Sequence, residues 1–128
     1  MQYISSAASP FVPASHEDPR NPGVLKRVIA TATQLQYGQV QMLNWASLPA
    51  GRSFQPHYHE DMQEVFVLLT GQVQMTVNGQ CVEMNAGDTV IVEPREVHVM
   101  TNSGDAPAEY LVFGISSGQG GRTINIDA

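Results

Sequence analysis

Short segments in which apolar and polar residues alternate follow one another along most of this chain. Residues 23–30 (GVLKRVIA) and Val40–Leu48 (VQMLNWASL) alternate, or nearly so, over runs that favour strands rather than helices. Residues 64–69 (EVFVLL) are rich in aromatic and β-branched side chains, which is typical of a strand covered on both faces. Further segments of this kind, DTVIV, EVHVMTN and AEYLVFGIS, are separated by glycine and proline. The pattern predicts a succession of strands.

One pair of these segments predicts a hairpin. The segments QVQMTV and QCVEM flank Asn78-Gly79, a dipeptide that strongly favours a two-residue hairpin turn. The register that follows pairs Val77 with Gln80, Thr76 with Cys81, Met75 with Val82 and Val73 with Met84. One face of the hairpin is then mostly apolar, and the other is lined by Gln74, Thr76, Cys81 and Glu83. Cys81 is expected to be chemically inert there.

The spacing of the segments indicates the architecture. About nine short strands at intervals of roughly 8–12 residues are typical of an antiparallel sandwich or barrel. We therefore expect one all-β domain over residues 23–116. Residues 1–22 contain four prolines and are expected to form an extended arm. Residues 117–128 begin with glycine and serine and are expected to form a flexible tail.

Composition limits the class of protein further. The chain has 128 residues, of which 42% are hydrophobic, so one domain can bury a core without disulfides. Its single cysteine suits a reducing compartment. The net charge of −6 argues against nucleic acid or an anionic membrane as the main partner. Residues 1–20 lack a basic start and a continuous apolar segment, and nothing approaches a membrane span, so we expect a cytoplasmic protein.

The histidines are scarce and unevenly placed. Of the four in the chain, His57 and His59 lie two residues apart in the segment QPHYHED. On a strand both project from the same face, with Cα atoms roughly 6–7 Å apart, close enough to bind one ion. An antiparallel return brings the carboxylate of Glu64 beside them, and His98 lies on another predicted strand. Three imidazoles and one carboxylate suit Mn, Fe, Ni, Zn or Cu.

The spacing of these residues resembles the two sequence motifs of the cupin superfamily. The first motif is matched by Gly51, five residues, His57-x-His59, four residues, Glu64, six residues and Gly71. The second is matched by Gly87, ten residues, His98, three residues and Asn102, with Pro94 between them. The chain is thus similar to a small single-domain cupin over about residues 23–116.

This resemblance implies a fold, a cofactor and a set of ligands. The implied fold is an antiparallel double-sheet jelly-roll barrel, and the cofactor is one divalent transition metal held inside it. Carried over by position, the metal ligands are His57, His59, Glu64 and His98. Glu60 and Asp61 are neighbouring carboxylates, and Glu60 could replace Glu64 if the chain returns more tightly.

One position departs from the resemblance. Cupins usually have glycine after the proline of the second motif, whereas this chain has Arg95 after Pro94. The turn therefore either avoids a positive φ or is strained. The distance from Gly87 to His98 is unaffected.

Residues close to the ligands are candidates for contact with a small molecule. Gln55 shares the strand parity of His57, and Glu96 and Met100 share that of His98, so all three are expected to face the interior. We interpret Gln55 and Met100 as parts of the substrate pocket, and Glu96 as either a general base or a charge at the rim. His16, in SHEDPR, is expected to be a surface or arm histidine.

The open coordination positions suggest the function. Four protein ligands leave two positions on a six-coordinate ion, which distinguishes a working site from a closed structural one. We expect an enzyme acting on a small, polar, oxygen-rich molecule; the resemblance allows dioxygenases, isomerases, epimerases and lyases. The alternative is a non-catalytic, metal-dependent module that binds or senses a small molecule, and a storage-like structural cupin is a third. We also expect a homodimer, because barrels of this kind leave exposed edges that the arm could cover or bridge.

Overall fold

The computed structural model describes residues 1–118 and 121–127. Within them the chain forms one short 3₁₀ helix, Ser6–Ala8, and eleven strands. The strands are β1 (Val12–Pro13), β2 (Leu25–Thr31), β3 (Val40–Leu48), β4 (His57–His59), β5 (Met62–Thr70), β6 (Gln72–Val77), β7 (Gln80–Asn85), β8 (Thr89–Val92), β9 (His98–Thr101), β10 (Ala108–Ser116) and β11 (Thr123–Asn125). The predicted all-β class is confirmed. No helix in this part of the chain has the length and apolarity needed to cross a membrane.

Two antiparallel sheets enclose the interior. The larger sheet has the strand order β1-β2-β3-β10-β5-β8, and the smaller has the order β11-β4-β9-β6-β7. Strands that are neighbours in a sheet are therefore often far apart in sequence, as in a jelly roll. The predicted antiparallel double-sheet fold is confirmed. It brings β4 and β9 of the smaller sheet to one side of the interior and β5 of the larger sheet to the other.

The hairpin of β6 and β7 has the predicted register, from Val77 opposite Gln80 to Val73 opposite Met84. Asn78 and Gly79 have φ of 48° and 81°, as a type I′ turn requires. The apolar face is buried only in part, because Val82 is 41% exposed. β7 is an edge strand of the smaller sheet.

The core fills the space between the sheets. Along β5 alternate side chains point inward and are buried, among them Glu64, Phe66 and Leu68. Met75 and Met100, from the smaller sheet, pack in the same apolar cluster as Phe66 and Leu68. The alternation of β5 therefore carries one carboxylate, that of Glu64, into an otherwise apolar interior.

The segments before and after the barrel are attached to it. In the arm, β1 pairs with β2, and the Glu17 carboxylate accepts hydrogen bonds from the backbone N–H groups of Gly23 at 2.5 Å and Gln55 at 2.6 Å. In the tail, which the sequence predicts to be flexible, the structure forms β11 against β4. Without β11, β4 would present an unpaired edge. The part of the tail prediction that concerns residues 119, 120 and 128 lies outside the described residues.

Candidate metal site

The fold brings together the four residues that the sequence predicts as metal ligands. β4 supplies His57 and His59, β9 supplies His98 directly opposite His57, and β5 supplies Glu64 from the other sheet. All four side chains are buried, and one potential ligand atom from each lies within 4.8 Å of the others. Two sheets are therefore needed to assemble a site that spans only a short stretch of each strand.

Each of the three imidazoles is held through Nδ1, the ring nitrogen on the outside of the cluster. Nδ1 of His57 lies 2.6 Å from the carbonyl oxygen of Gln55, and Nδ1 of His98 lies 3.0 Å from that of Glu96. Nδ1 of His59 lies 3.2 Å from the carbonyl oxygen of Gly121. Because a carbonyl oxygen only accepts, these contacts place the proton on Nδ1 and leave Nε2 with a lone pair. This is the tautomer that a metal ligand requires.

Electron-rich atoms crowd the centre of the site. Oε1 of Glu64 lies 2.9 Å from Nε2 of His59 and 3.0 Å from Nε2 of His98. Nε2 of His59 is buried and makes no hydrogen bond with any described residue. A lone pair that faces a carboxylate oxygen at this distance needs a cation between or beside them. The residues present therefore fit a bound metal ion.

The ionisation of the ligands agrees with this fit. Burial acts to raise the pKa of Glu64. The adjacent imidazoles of His59 and His98 have the larger, opposite effect, and the resulting pKa is about 2. Burial, helped by the nearby His98 and His16, lowers the pKa of His57 to about 3. Glu64 is thus a carboxylate and His57 a neutral imidazole at neutral pH, the forms in which both bind metals.

The two neighbouring carboxylates are used elsewhere. Glu60 forms an ion pair with Arg122 at 2.9 Å on the outside of the barrel. Asp61 accepts hydrogen bonds from the Ser116 hydroxyl and from the backbone N–H of Gly121, each at 2.7 Å. Glu64 is therefore the carboxylate in the cluster, and the alternative of Glu60 is excluded by its position.

His16 lies in the arm, one of the two expected positions, but it is not on the surface. Its ring stacks on that of His57, with centroids 4.3 Å apart and planes at 34°, and its side chain is only 19% exposed. Nε2 of His16 lies 3.2 Å from Oε2 of Glu17, the carboxylate that fastens the arm to the barrel. Burial lowers the pKa of His16. The segment around His16 has no alternation of apolar and polar residues from which its burial could be predicted. The scarcity of histidine in the chain was the only signal that His16 belongs with the others.

The other predicted site residues do not line the cavity at the site. The amide of Gln55 donates to the carbonyl oxygen of Ile126 at 2.6 Å and so holds the tail. Met100 is fully buried in the apolar core. The Glu96 carboxylate accepts a hydrogen bond from the backbone N–H of Glu93 at 2.7 Å and closes a turn. Glu96 serves the site through its backbone carbonyl, which holds His98.

The turn that contains Arg95 is strained. Arg95 has a φ of 69°, a conformation that residues other than glycine adopt at a cost. Its backbone N–H donates to the carbonyl oxygen of His59 at 2.7 Å. Of the two predicted alternatives, strain is the one that the structure shows, and the strained residue also fixes the strand that carries two of the ligands.

A cavity of about 340 Å³ opens from the ligands across the concave face of the larger sheet. At one end it is lined by the ligands on β4 and β5, with His16 over His57. The rings of Phe54 and Phe66 flank the imidazoles, with Phe54 5.3 Å from His57 and Phe66 5.7 Å from His98. The cavity then extends past Tyr110 towards β2 and β3. The site therefore has room for a small molecule beside an ion.

Comparison with known proteins agrees with this architecture. Residues 44–114 match the model of the cupin domain family. The oxalate-binding protein of Thermotoga maritima is 28% identical over 78 residues, which are 61% of this chain and 64% of that protein. The quercetin 2,3-dioxygenase of Bacillus subtilis is 32% identical over 97 residues, 74% of this chain but only 28% of that protein.

A solved structure shows the same fold. The crystal structure of a predicted oxalate decarboxylase from Thermotoga maritima superposes with a TM-score of 0.78 at 24% identity, over 90% of this chain and 99% of that one. The chain spans less than two thirds of the length of each of the two relatives described above. On the family match, the shared fold and the arrangement of the histidines, the chain belongs to the cupin family.

Proposed function

We propose that this cupin is a mononuclear metal-dependent enzyme that acts on a small, oxygen-rich molecule. The observation that carries the proposal is that three members of the buried four-ligand cluster, His57, His59 and Glu64, line a cavity of about 340 Å³. A closed structural metal site would be packed on all sides, whereas cavities of roughly 300–1,000 Å³ are usual for small-molecule sites. The free volume beside the ligands supports a working site.

The chemistry belongs to the metal and its surroundings. A bound Mn, Fe, Ni, Zn or Cu ion would act as a Lewis acid or, if redox-active, would exchange electrons. Phe54 and Phe66 shield the ligand end from water. Burial raises the pKa of Tyr110, whose hydroxyl stays protonated and can donate a hydrogen bond in the cavity. His16 is the further polar ring at the ligand end, and we assign it to contact with the substrate.

The reaction is of the dioxygenase, isomerase, epimerase or lyase type. The relatives named as an oxalate-binding protein and a quercetin dioxygenase support a substrate with several oxygen atoms. The role of general base that the sequence suggests for Glu96 stays a prediction, and the carboxylate's use in a turn offers it no support. His16 takes its place as the residue to test first.

A second candidate is a non-catalytic module that binds or senses the same kind of molecule. The observation in its favour is that the arm lines the cavity through Ala14, Ser15 and His16. A bound molecule would therefore contact the arm directly and could stabilise it. The name of the oxalate-binding relative is consistent with this alternative.

The proposal also covers the location, the partners and the oligomeric state of the protein. A single cysteine, exposed on the hairpin, suits the reducing cytoplasm. Nothing in the net charge of −6 favours nucleic acid or an anionic membrane as a partner, and the cavity supports a small molecule. We also propose that the protein forms a homodimer.

The first test is elemental analysis by mass spectrometry of protein purified without chelators or metal-affinity columns. We expect close to one transition metal ion per chain, and loss of that ion in a His57→Ala/His98→Ala double variant. A variant with Glu60→Gln, outside the cluster, is the control and should keep the metal. A wild-type protein that is empty and also refuses added metal would overturn the proposed function.

The second test separates the enzyme from the binding module. The metal-loaded protein is incubated with a panel of hydroxy acids, keto acids and sugars, and the mixtures are followed by NMR. New product resonances that require the metal indicate an enzyme. Broadening of ligand resonances without any product over many hours would favour the binding module.

A further inference from the structure

We propose that the end of the cavity remote from the metal ligands is an anion subsite formed by Lys26 and Asn44. The molecule bound there is a small hydroxylated dicarboxylate, with one end at the ligand cluster and its second carboxylate at Lys26. This inference rests on the proposed function, because it takes the metal site as the first anchor.

The strand register places the two residues on the cavity side of the larger sheet. Lys26 on β2 pairs with Ala46 on β3, and Val28 pairs with Asn44, so Lys26 and Asn44 are diagonal neighbours on one face. Val112 on β10 lies beside Asn44 on the same face. All five residues line the cavity.

The subsite lies across the larger sheet from Glu64, although the charge of Lys26 also acts on His16 at the ligand end. Glu64 lies on β5, and the sheet order places β10 and β3 between β5 and β2. Three strand spacings of about 4.8 Å make roughly 14 Å between the backbones, which the long side chains of Lys26 and Glu64 shorten from both sides. Oxalate, whose two carboxylates are bonded directly to each other, would reach only the ligand end.

Asn44 offers an unused hydrogen-bonding atom. Its side chain is 7% exposed, and its Oδ1 is buried without a hydrogen-bond partner among the described residues. An unpaired buried acceptor is unfavourable, and native proteins rarely keep one without a role. A hydroxyl group on the bound molecule would donate to this oxygen. The polar atom thus indicates a ligand that is hydroxylated along its carbon chain.

Lys26 offers an unused positive charge. It is half-buried, no ion pair found in residues 1–118 and 121–127 includes it, and burial lowers its pKa. The buried carboxylates are engaged elsewhere: Glu64 by the imidazoles, and Glu17 by the N–H groups of Gly23 and Gln55. In a chain with a net charge of −6, an uncompensated cation in the cavity is the attachment point for a carboxylate.

The walls between the two ends suit a short carbon chain. Val28, Ala46 and Val112 are apolar and line the middle of the cavity, with Tyr110 beside them. A molecule that spans the cavity would place its two charged ends at the metal and at Lys26, and its carbon atoms against these residues. Specificity for length and for charge at the far end would then come from the larger sheet.

The test is isothermal titration calorimetry on protein reconstituted with Mn²⁺ or Zn²⁺. Three dicarboxylates that differ in length or in hydroxylation, malate, 2-hydroxyadipate and glucarate, are each compared with a monocarboxylate that lacks the second charge: 2-hydroxybutyrate, 2-hydroxyhexanoate and gluconate. We expect at least one dicarboxylate to bind ten times more tightly than its partner. Lys26→Met should abolish this preference, and Lys26→Arg should retain it.

Two further variants make the test specific. Arg27→Met removes the same charge from the opposite face of β2, where Arg27 stacks on Trp45, and should leave the preference unchanged. Asn44→Leu should weaken glucarate at least fivefold and 2-hydroxyadipate much less, because the latter lacks hydroxyl groups in the middle of its chain. Metal content and circular dichroism of each variant show that it is folded and loaded.

The outcomes separate the two proposals. Protein that binds no metal contradicts the proposed function. Protein that binds metal and the monocarboxylates, but shows no preference for any dicarboxylate or keeps the preference in Lys26→Met, overturns the anion subsite and leaves the metal site standing. The same holds if Arg27→Met reduces the preference as much as Lys26→Met.

Discussion

All four histidines of this chain meet in one place, although only three occupy ligand positions. The ring of His57 lies 4.3 Å from that of His16 on one side and 4.4 Å from that of His98 on the other. The three ligands are locked by backbone carbonyls, whereas Nε2 of His16 is buried without a well-formed hydrogen bond. His16 is therefore free to exchange its weak contact with Glu17 for one with a bound molecule.

Replacement of His16 tests this role. His16→Phe keeps an aromatic ring against His57 but removes both nitrogens, so the metal content should stay at the wild-type value. Affinity or turnover for the molecule identified by the NMR panel should fall at least tenfold, since a buried polar group left without its hydrogen-bond partner costs about 1–3 kcal/mol. His16→Gln, which keeps a polar group, should lose less. Wild-type affinity and turnover in His16→Phe would show that His16 only packs against its neighbours and does not contact the substrate.

Arg95 shows that a departure from the family pattern has a cost in this chain. The left-handed conformation costs an L-residue about 1–2 kcal/mol of stability. Glycine avoids this cost, but its greater backbone entropy in the unfolded chain offsets part of the gain. We predict that Arg95→Gly raises the free energy of unfolding by about 0.5–1 kcal/mol, measured by chemical denaturation of the metal-free protein. Arg95→Ala, which removes the side chain but not the strain, should not. Equal stability of the two variants would show that the strain is negligible.

At the scale of the element, local sequence signals predicted the β6–β7 hairpin fully but did not predict the short edge strands β1 and β11. Asn78-Gly79 determined the turn and every pair of the hairpin, because a two-residue loop permits only one register. Of the strands that carry the ligands, β5 and β9 followed from alternation, and β4 followed from the spacing of its two histidines. β1 and β11 did not, because two- and three-residue strands are too short to show a period. Their pairing depends on partners far away in sequence.

The short strand β11 contributes to the site as well as to the sheet. The Thr123 hydroxyl lies 3.1 Å from Nδ1 of His59, the nitrogen that also faces the carbonyl oxygen of Gly121. Groups that orient a metal-binding histidine typically change metal affinity by 10–100-fold. We predict that Thr123→Val weakens metal binding about tenfold, measured by competition with a chromophoric chelator. Thr123→Ser keeps the hydroxyl and should bind as the wild type does; an equal loss in both would implicate packing instead.

At the scale of the whole molecule, the buried site makes stability depend on pH. The unfolded chain takes up a proton on His57 near pH 6.5 and on Glu64 near pH 4.5, whereas in the folded protein their pKa values are about 3 and about 2. Acid therefore favours the unfolded state, and the stabilisation is complete only above about pH 6.5. We predict that the midpoint of denaturation of the metal-free protein falls steadily from pH 7 to pH 4.

A variant provides the control for this pH dependence. His57→Gln lacks the group that titrates first, so its midpoint should change less between pH 7 and pH 5 than that of the wild type. Below pH 4.5 both proteins should lose stability through Glu64. A wild-type midpoint that is the same at pH 7 and pH 5 would contradict the direction of the shift of His57.

The predicted homodimer also belongs to this scale. The arm covers one edge of the larger sheet through β1, but β8 at the other edge carries Ile91, which is 53% exposed, and β7 at the edge of the smaller sheet carries Val82. We predict a dimer by multi-angle light scattering at micromolar concentration, and a shift towards the monomer in an Ile91→Lys/Val82→Lys variant. A monomeric wild type would contradict the prediction.

The hydrogen bond from the Asn125 amide to the carbonyl oxygen of His16, at 3.3 Å, joins residues 109 positions apart in the sequence. The order of synthesis gives this contact a consequence for metal loading. His98 completes the ligand set while β10 and β11 have still to leave the ribosome, so for a time the nascent chain presents its ligands without their cover. We expect insertion of the ion to be easiest in that interval. We expect the completed contact between the tail and the arm to slow the entry of a metal into the folded protein.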